Sequence, residues 1–355
     1  MKVRPIAVDG TIDSSHAGRV VTNLSQLPST GIASTNKRQS QPCHCVMECG
    51  TLELGKIGPF DLQSTLESGQ SYLWWREDGN DYQDETVYGG ESWYLTTTRE
   101  PESPAVIRVR QHNGKLEWES TVDATPILKK RLRLTDDLDG IRAKTPTDPL
   151  IETAFEQYWG MRIVRDPTFP SLISFICSAQ MHVTRIHEMQ QALRETYGTP
   201  ISFGDSTYYA YPTPAQLADA TEPELRDLSL GYRAPYVKRT AEMVADGTSP
   251  ETARDRSYEE ARDYLTQFVG VGDKVADCVL LFALDFLEAV PLDTWIRKTI
   301  AEYYPGCDRG NYSETSAAIR DRLGPTFAGY TQTYLFHYLR HAGEEAPKGP
   351  IQSTK

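Results

Sequence analysis

Lys274 and Asp293 are the residues whose type and setting point most directly to chemistry. Lys274 stands in Val269-Gly270-Val271-Gly272-Asp273-Lys274-Val275-Ala276-Asp277-Cys278, where a helix ends near Phe268 and the next starts near Lys274. The glycines let backbone approach a ligand closely, and turn amides beside a helix N-terminus can hold a phosphate oxygen. A lysine in the first helical turn sits where the macrodipole disfavours a cation. Partial desolvation there would favour the neutral amine, a usable nucleophile for a sugar C1′ that leads to a Schiff base. Asp293 follows Pro291, which breaks the preceding helix, and is placed to cap the next one. Its carboxylate could also face positive charge developing at C1′ and take a proton from the incoming amine. Singly, each residue has a plainer reading: a solvated helix-start lysine, a cap, a glycine turn.

Two kinds of element must position these groups. From Gly50 to Lys144, short β-branched and aromatic runs (Thr86–Tyr88, Ser92–Thr97, Ala105–Val109, Leu116–Trp118) alternate with Gly, Asp, Asn and Pro, an antiparallel sheet pattern. From Asp148 onward the pattern is helical, with helices predicted over 148–159, 169–196, 214–219, 222–228, 235–245, 258–268, 274–284, 293–303, 313–322 and 328–340. The expected class is α+β: a twisted antiparallel sheet domain over 47–145, then a mostly helical region over 146–344. Residues 1–46 are polar and aperiodic and read as a disordered extension, with Met47 an alternative start; 345–355 read as a tail.

The chain has 355 residues, 39% hydrophobic and 24% charged, as in an ordinary globular protein. No apolar run is long enough to span a bilayer, and Met1–Ile12 lack the apolar region of a secretory signal, so a cytoplasmic location is expected, at the nucleoid in a prokaryote. The net charge of -12 opposes phosphate binding unless basic residues gather on one face or the surroundings are very salty. The Debye length falls to roughly 3 Å near 1 M salt. With 12 lysines against 25 arginines and many carboxylates, the composition is compatible with a halophilic archaeon. Of the six cysteines, Cys177 and Cys278 sit in apolar stretches as free thiols. Cys43-His44-Cys45-Val46-Met47-Glu48-Cys49 is too tight and irregular for an ordinary structural zinc site, and the spacings do not suit an iron–sulfur cluster.

Gly270-Val271-Gly272-Asp273-Lys274-Val275-Ala276-Asp277-Cys278 followed by Val290-Pro291-Leu292-Asp293 resembles the helix–hairpin–helix (HhH-GPD) glycosylase superfamily, specifically its 8-oxoguanine DNA glycosylase/AP lyase branch. Four further stretches are similar to that branch, in the same order: Ser68-Gly69-Gln70-Ser71, matching a strand of the family; Ser174-Phe175-Ile176-Cys177-Ser178; Leu230-Gly231-Tyr232-Arg233-Ala234; and Gly324 through Ala328, Gly329, Gln332 and Phe336. Together they cover roughly 50–340, and agreement of five ordered motifs carries far more weight than any one.

The resemblance implies excision of 8-oxoguanine from duplex DNA in base-excision repair, with Lys274 as nucleophile and Asp293 as its partner, followed by β-elimination. A flipped base would enter a pocket where the Gly69 carbonyl accepts the N7–H carried only by the oxidised purine, Phe336 and Cys278 flank its faces, and Gln332 meets its Watson–Crick edge. Tyr232 would wedge into the vacated stack. Gln180, Arg185 and Arg233 would meet the orphaned cytosine, and Gly270 and Gly272 the DNA backbone. The implied chemistry uses no cofactor; a monovalent cation at the hairpin is compatible with it. The expected partner is double-stranded DNA containing oxidised guanine, bound by a monomer. The chain departs from the family's animal members twice: Ala179-Gln180-Met181-His182 replaces an asparagine-bearing stretch, and Trp295 stands where they carry histidine. The alternatives are a helix–hairpin–helix glycosylase for alkylated purines, against which Lys274 speaks, and a non-catalytic DNA-backbone module, which needs neither Lys274 nor Asp293.

Overall fold

The computed structural model describes residues 47–83, 88–100, 103–342 and 349–351. The predicted extension 1–46, including Cys43 and Cys45, lies outside the described residues, as do Thr86, Val87 and most of the tail. Cys49 is an exposed free thiol.

Five strands form one antiparallel sheet in the order β1-β5-β4-β3-β2: β1 Glu48–Glu53, β2 Trp74–Arg76, β3 Tyr94–Thr98, β4 Ala105–His112 and β5 Lys115–Ser120. A second pair, β6 Thr199–Phe203 and β7 Ser206–Ala210, forms a hairpin. Leu95 and Val106 of the sheet pack against Ile201, Phe203 and Ala210 of that hairpin, while Tyr94, Ile107 and Val109 face the main core. β3 is therefore covered on both faces and buried throughout, which suits its β-branched and aromatic composition. The hairpin interrupts what the sequence reading left between helices; Gly204-Asp205 between β-rich runs was its signal.

The longer helices are α1 Pro149–Gln157, α2 Thr168–Cys177, α3 Val183–Tyr197, α4 Ala234–Ala245, α5 Tyr258–Leu265, α6 Asp273–Ala283, α7 Thr294–Tyr303, α8 Tyr312–Leu323 and α9 Ala328–Ala342. Their starts follow local capping chemistry. Asp148 accepts from Leu150 N and Ile151 N, Asn311 from Glu314 N, and Ser257 with Glu260 forms a reciprocal box. The helix predicted over 169–196 is two helices. Ser178 Oγ donates back to Phe175 O, and Gln180 takes a positive φ of 54°, which a continuous helix excludes.

The stretch predicted as a strand around Ser68–Ser71 is a loop after the short helix Leu62–Leu66. Gly69 has φ 84°, incompatible with a strand ladder. Buried side chains hold this loop against the helical region. Gln70 Nε2 donates to Arg162 O at 2.9 Å, and its Oε1 accepts from Val164 N at 3.0 Å. Ser71 Oγ donates to Asp166, which also pairs with Arg131 at 2.7 Å, and Arg131 reaches Thr96 of β3 at 2.9 Å. These contacts join sheet, loop and the start of α2 through one buried hydrogen-bonded cluster.

Candidate active site

Gly69, Lys274, Cys278, Asp293, Gln332 and Phe336, drawn from the 67–73 loop, α6, the turn before α7, and α9, line one cleft of about 530 Å³ open to solvent.

Lys274 lies in the first turn of α6, whose cap residue is Gly272. Its Nζ donates to Ser178 Oγ at 3.2 Å and sits 5.7 Å from the Phe175 ring centroid. Ser178 belongs to the turn that ends α2, so that turn positions the amine. No sequence reading gave Ser178 a role; its signal was its place directly after Phe175-Ile176-Cys177. Asp293 Oδ1 accepts from Ile296 N at 2.8 Å, capping α7 as predicted. Burial holds the Asp293 carboxyl above its ordinary value, while the Ile296 amide and Lys274 pull the other way. Cys278 is 4% exposed, and burial pushes its thiol up to about 11. A thiol attacks as thiolate, so at neutral pH Cys278 serves as a packing group of the cleft.

A buried strut connects α6 to the turn carrying Asp293. Asp277, fully buried, accepts from Tyr258 OH and Tyr312 OH, each at 2.7 Å, and Tyr312 OH accepts from Leu292 N at 3.1 Å. Asp277 thus positions the residue before Asp293 through Tyr312. Burial raises the Asp277 carboxyl to about 7 against the pull of both tyrosine hydroxyls and of Arg262 and Arg320. Sequence reading missed this strut because Asp277 sits on the apolar face of α6 and its partner is distant in sequence.

The base-sized part of the cleft is built from Gly69, Phe336 and Gln332. A Cβ on Gly69 would lie 3.5 Å from Phe336 Cε1, so the ring and the loop backbone are neighbours. Gln332 is 6% exposed, and its Oε1 has no hydrogen-bond partner among the described residues. A buried acceptor without a partner costs about 1–3 kcal/mol, so the Gln332 Oε1 is free to accept from a ligand donor. Tyr72, Phe175 and Phe282 form an aromatic wall, with Phe175 edge-on to Tyr72 and stacked on Phe282, both at 5.7 Å.

The remaining predicted residues lie outside the cleft. Gly270 has φ 86° and packs on Tyr236; Gly272 is exposed with open space around it. Thr240 Oγ1 donates to Val269 O at 2.9 Å and pins the hairpin to α4. Tyr232 is 51% exposed and stands edge-on to Tyr236 at 6.2 Å. Arg233 is 3% exposed, donates to Ala179 O and sits 4.3 Å from the Tyr232 ring centroid. In this state Arg233 therefore braces Tyr232 and the turn that carries exposed Gln180. Arg185 is paired with Glu188 at the surface of α3. Trp295 is 47% exposed at the start of α7. Among the described residues, no group of three or more His, Cys, Asp or Glu side chains could hold a metal ion, and no helix is long and apolar enough to cross a membrane.

Residues 54–172 match the 8-oxoguanine DNA glycosylase N-terminal domain, and residues 173–325 match the HhH-GPD superfamily base excision DNA repair protein model. The N-glycosylase/DNA lyase of Saccharomyces cerevisiae is 32% identical over 265 residues, 68% of each chain. The chain belongs to the HhH-GPD superfamily of base excision DNA repair proteins. A probable N-glycosylase/DNA lyase of Methanothermobacter thermautotrophicus is 29% identical over 313 residues, 81% of this chain and 96% of its own. The structure of MBOgg1 in complex with a low affinity DNA ligand superposes with TM-score 0.70 at 29% identity, covering 80% of this chain and 93% of that one. The Clostridium acetobutylicum 8-oxoguanine glycosylase/lyase, in complex with double-stranded DNA containing cytosine opposite to 8-oxoG, gives TM-score 0.69 at 25% identity, covering 83% and 97%.

Proposed function

We propose that this chain excises 8-oxoguanine from duplex DNA in base-excision repair and then cleaves the strand at the abasic site through a Schiff base on Lys274. The observation that carries the reading is the convergence of Lys274 and Asp293 on a cleft that Gly69, Gln332 and Phe336 also line.

The flipped nucleotide enters with its base between Phe336 and Cys278. Gly69 supplies a backbone carbonyl for N7–H, and Gln332 an unsatisfied Oε1 for a Watson–Crick donor. Ordinary guanine has no N7–H, so the buried carbonyl would be left unpaired, a penalty large enough to discriminate. As the C1′–N9 bond breaks, positive charge grows at C1′, and the Asp293 carboxylate stabilises it. Lys274 Nζ forms the new bond to C1′ and gives up a proton, and the base departs with the electron pair of the broken bond and is protonated. Ring opening yields the Schiff base. Loss of a C2′ proton expels the 3′ phosphate, and water then releases the lysine.

The exposed hairpin glycines would grip the DNA backbone, and Tyr232 would fill the gap left by the flipped base. Gln180 and, after release from their internal partners, Arg185 and Arg233 would meet the opposite cytosine. A monovalent cation held by hairpin carbonyls, action as a monomer, and retention of activity in molar KCl belong to the same proposal. Oligonucleotides bearing 8-oxoguanine opposite each of the four bases, or an alkylated purine, test it by measurement of free base and of strand cleavage separately. Release of 8-oxoguanine with cleavage 3′ to the lesion is expected. Release confined to alkylated bases, or binding without release of any base, would overturn it.

A further inference from the structure

Arg340 lies two turns beyond Gln332 and one beyond Phe336 on α9, so the three side chains share one helical stripe. All three line the cleft. Arg340 Nη1 lies 3.9 Å from where a Gly69 Cβ would sit, while Phe336 lies 3.5 Å from the same point. The guanidinium is thus at the depth of the base slot and on its Gly69 side. It is half-buried, with the Tyr82 ring centroid 5.6 Å from its Cζ and the Tyr72 hydroxyl and His337 ring within its field. That distance is near the outer limit for a cation over a ring. The ion pairs of the described residues do not include Arg340, whereas its neighbours in the cleft, Lys274 and Asp293, have a hydroxyl and a backbone amide as partners. A guanidinium carries five N–H donors and no acceptor, and its partial burial is costly until acceptors arrive.

We propose that Arg340 is a specificity residue of the base pocket, donating to a carbonyl oxygen on the Hoogsteen edge of the flipped purine. The proposal rests on the 8-oxoguanine reading above. If the Gly69 carbonyl accepts N7–H, the atoms flanking N7 on the same edge are the carbonyl oxygens at C6 and C8. A donor beside Gly69 faces that edge, and a forked donor supplies what the Gly69 carbonyl lacks. Gly69 and Arg340 together then read an acceptor–donor pattern that unoxidised guanine cannot match, since its N7 is itself an acceptor and C8 carries no oxygen.

The test compares wild type with Arg340→Leu and Arg340→Lys in two reactions: single-turnover excision of 8-oxoguanine, and borohydride trapping on a preformed abasic site, which contains no base. Loss of a hydrogen bond to a charged donor predicts excision slower on the order of tenfold to a hundredfold in Arg340→Leu. Trapping on the abasic site should change less than about twofold on this account, since the lost bond contributes only with a base present. Arg340→Lys keeps the charge and loses the fork, and should fall between the two. Excision of 8-oxoadenine, which lacks the C6 oxygen, then assigns the acceptor: a loss equal to that with 8-oxoguanine points to the C8 oxygen, and a smaller loss to the C6 oxygen. If excision and abasic-site trapping fall together in both variants, Arg340 serves the backbone or the fold and the proposal is wrong; unchanged excision in Arg340→Leu also overturns it. Wild type that traps abasic sites but releases no 8-oxoguanine instead overturns the substrate reading on which it rests.

Discussion

The hairpin glycines are chemically identical and structurally opposite, and Gly270→Ala against Gly272→Ala separates their roles. At Gly270 the backbone has φ 86°, and an added Cβ would stand 2.7 Å from Tyr236 Cβ and 2.8 Å from its Cγ. The Tyr236 ring could rotate away, but its Cβ is fixed by the backbone and cannot, so the hairpin must lift from α4. A left-handed alanine costs about 1–2 kcal/mol, and forced overpacking adds about 1–3 kcal/mol. Together they predict destabilisation by about 2–5 kcal/mol, or a melting point lower by about 4–10 °C for a chain of this size. Gly272 has ordinary extended backbone and nothing within 4 Å of its Cβ position. Gly272→Ala should cost about 1 kcal/mol or less, from a poorer helix cap. Both variants should lose affinity for duplex DNA: the first because Tyr236 carries Tyr232 with it, the second because a methyl group blocks approach of a phosphate. Thermal melting read alongside fluorescence anisotropy on a labelled duplex measures both effects. Equal melting of Gly270→Ala and wild type would refute the packing argument, and undiminished affinity of Gly272→Ala would refute the role given to the hairpin.

Other outcomes follow from the same geometry. Because burial raises the Asp293 carboxyl above its ordinary value and the ionised form is the active one, kcat/KM should fall on the acid side at a pH above the usual aspartate range. An acid limb at the ordinary aspartate value would contradict this. Asp277, raised to about 7 in the folded chain from 3.8, contributes stability that is fully present below about 3.8 and is lost as pH rises through about 7. Between pH 5.5 and 8.5 wild type should therefore lose more thermal stability than Asp277→Asn, and parallel losses would count against it. Tyr312→Phe removes the bonds to Asp277 and Leu292 and should lower kcat more than it raises KM; an effect on KM alone would argue that the strut does not position Asp293. Tyr232→Ser removes an exposed ring, so it should weaken binding to lesion duplex while leaving the melting point within about 1 °C.

The chemistry was more legible in the sequence than the architecture around it. Lys274, Asp293, Cys278, Gln332, Phe336 and Gly69 stand in short motifs whose order could be read directly, and the fold brings them to one cleft. The break at Gln180 was hidden because apolar periodicity continues on both sides of it. β1 was missed because Glu48–Glu53 buries only Leu52 and so lacks an apolar alternation, and the β6–β7 hairpin because its burial comes from the sheet rather than from local pattern. Ser178, Arg340 and the Asp277–Tyr312 strut depend on pairs far apart in sequence: Lys274 with Ser178, Gly69 with Arg340, Asp277 with Tyr312. No local periodicity encodes such contacts. Arg233 was expected to meet the orphaned cytosine, and its burial against Ala179 was not legible from sequence.

The central claim is that Lys274 forms a covalent bond to the sugar from which 8-oxoguanine departs. Borohydride added during turnover of a labelled duplex carrying 8-oxoguanine opposite cytosine, with wild type and Lys274→Gln at low and molar KCl, tests it most directly. A protein–DNA adduct is expected with wild type and none with Lys274→Gln. Base release by wild type without an adduct, or an adduct that persists in Lys274→Gln, would contradict it.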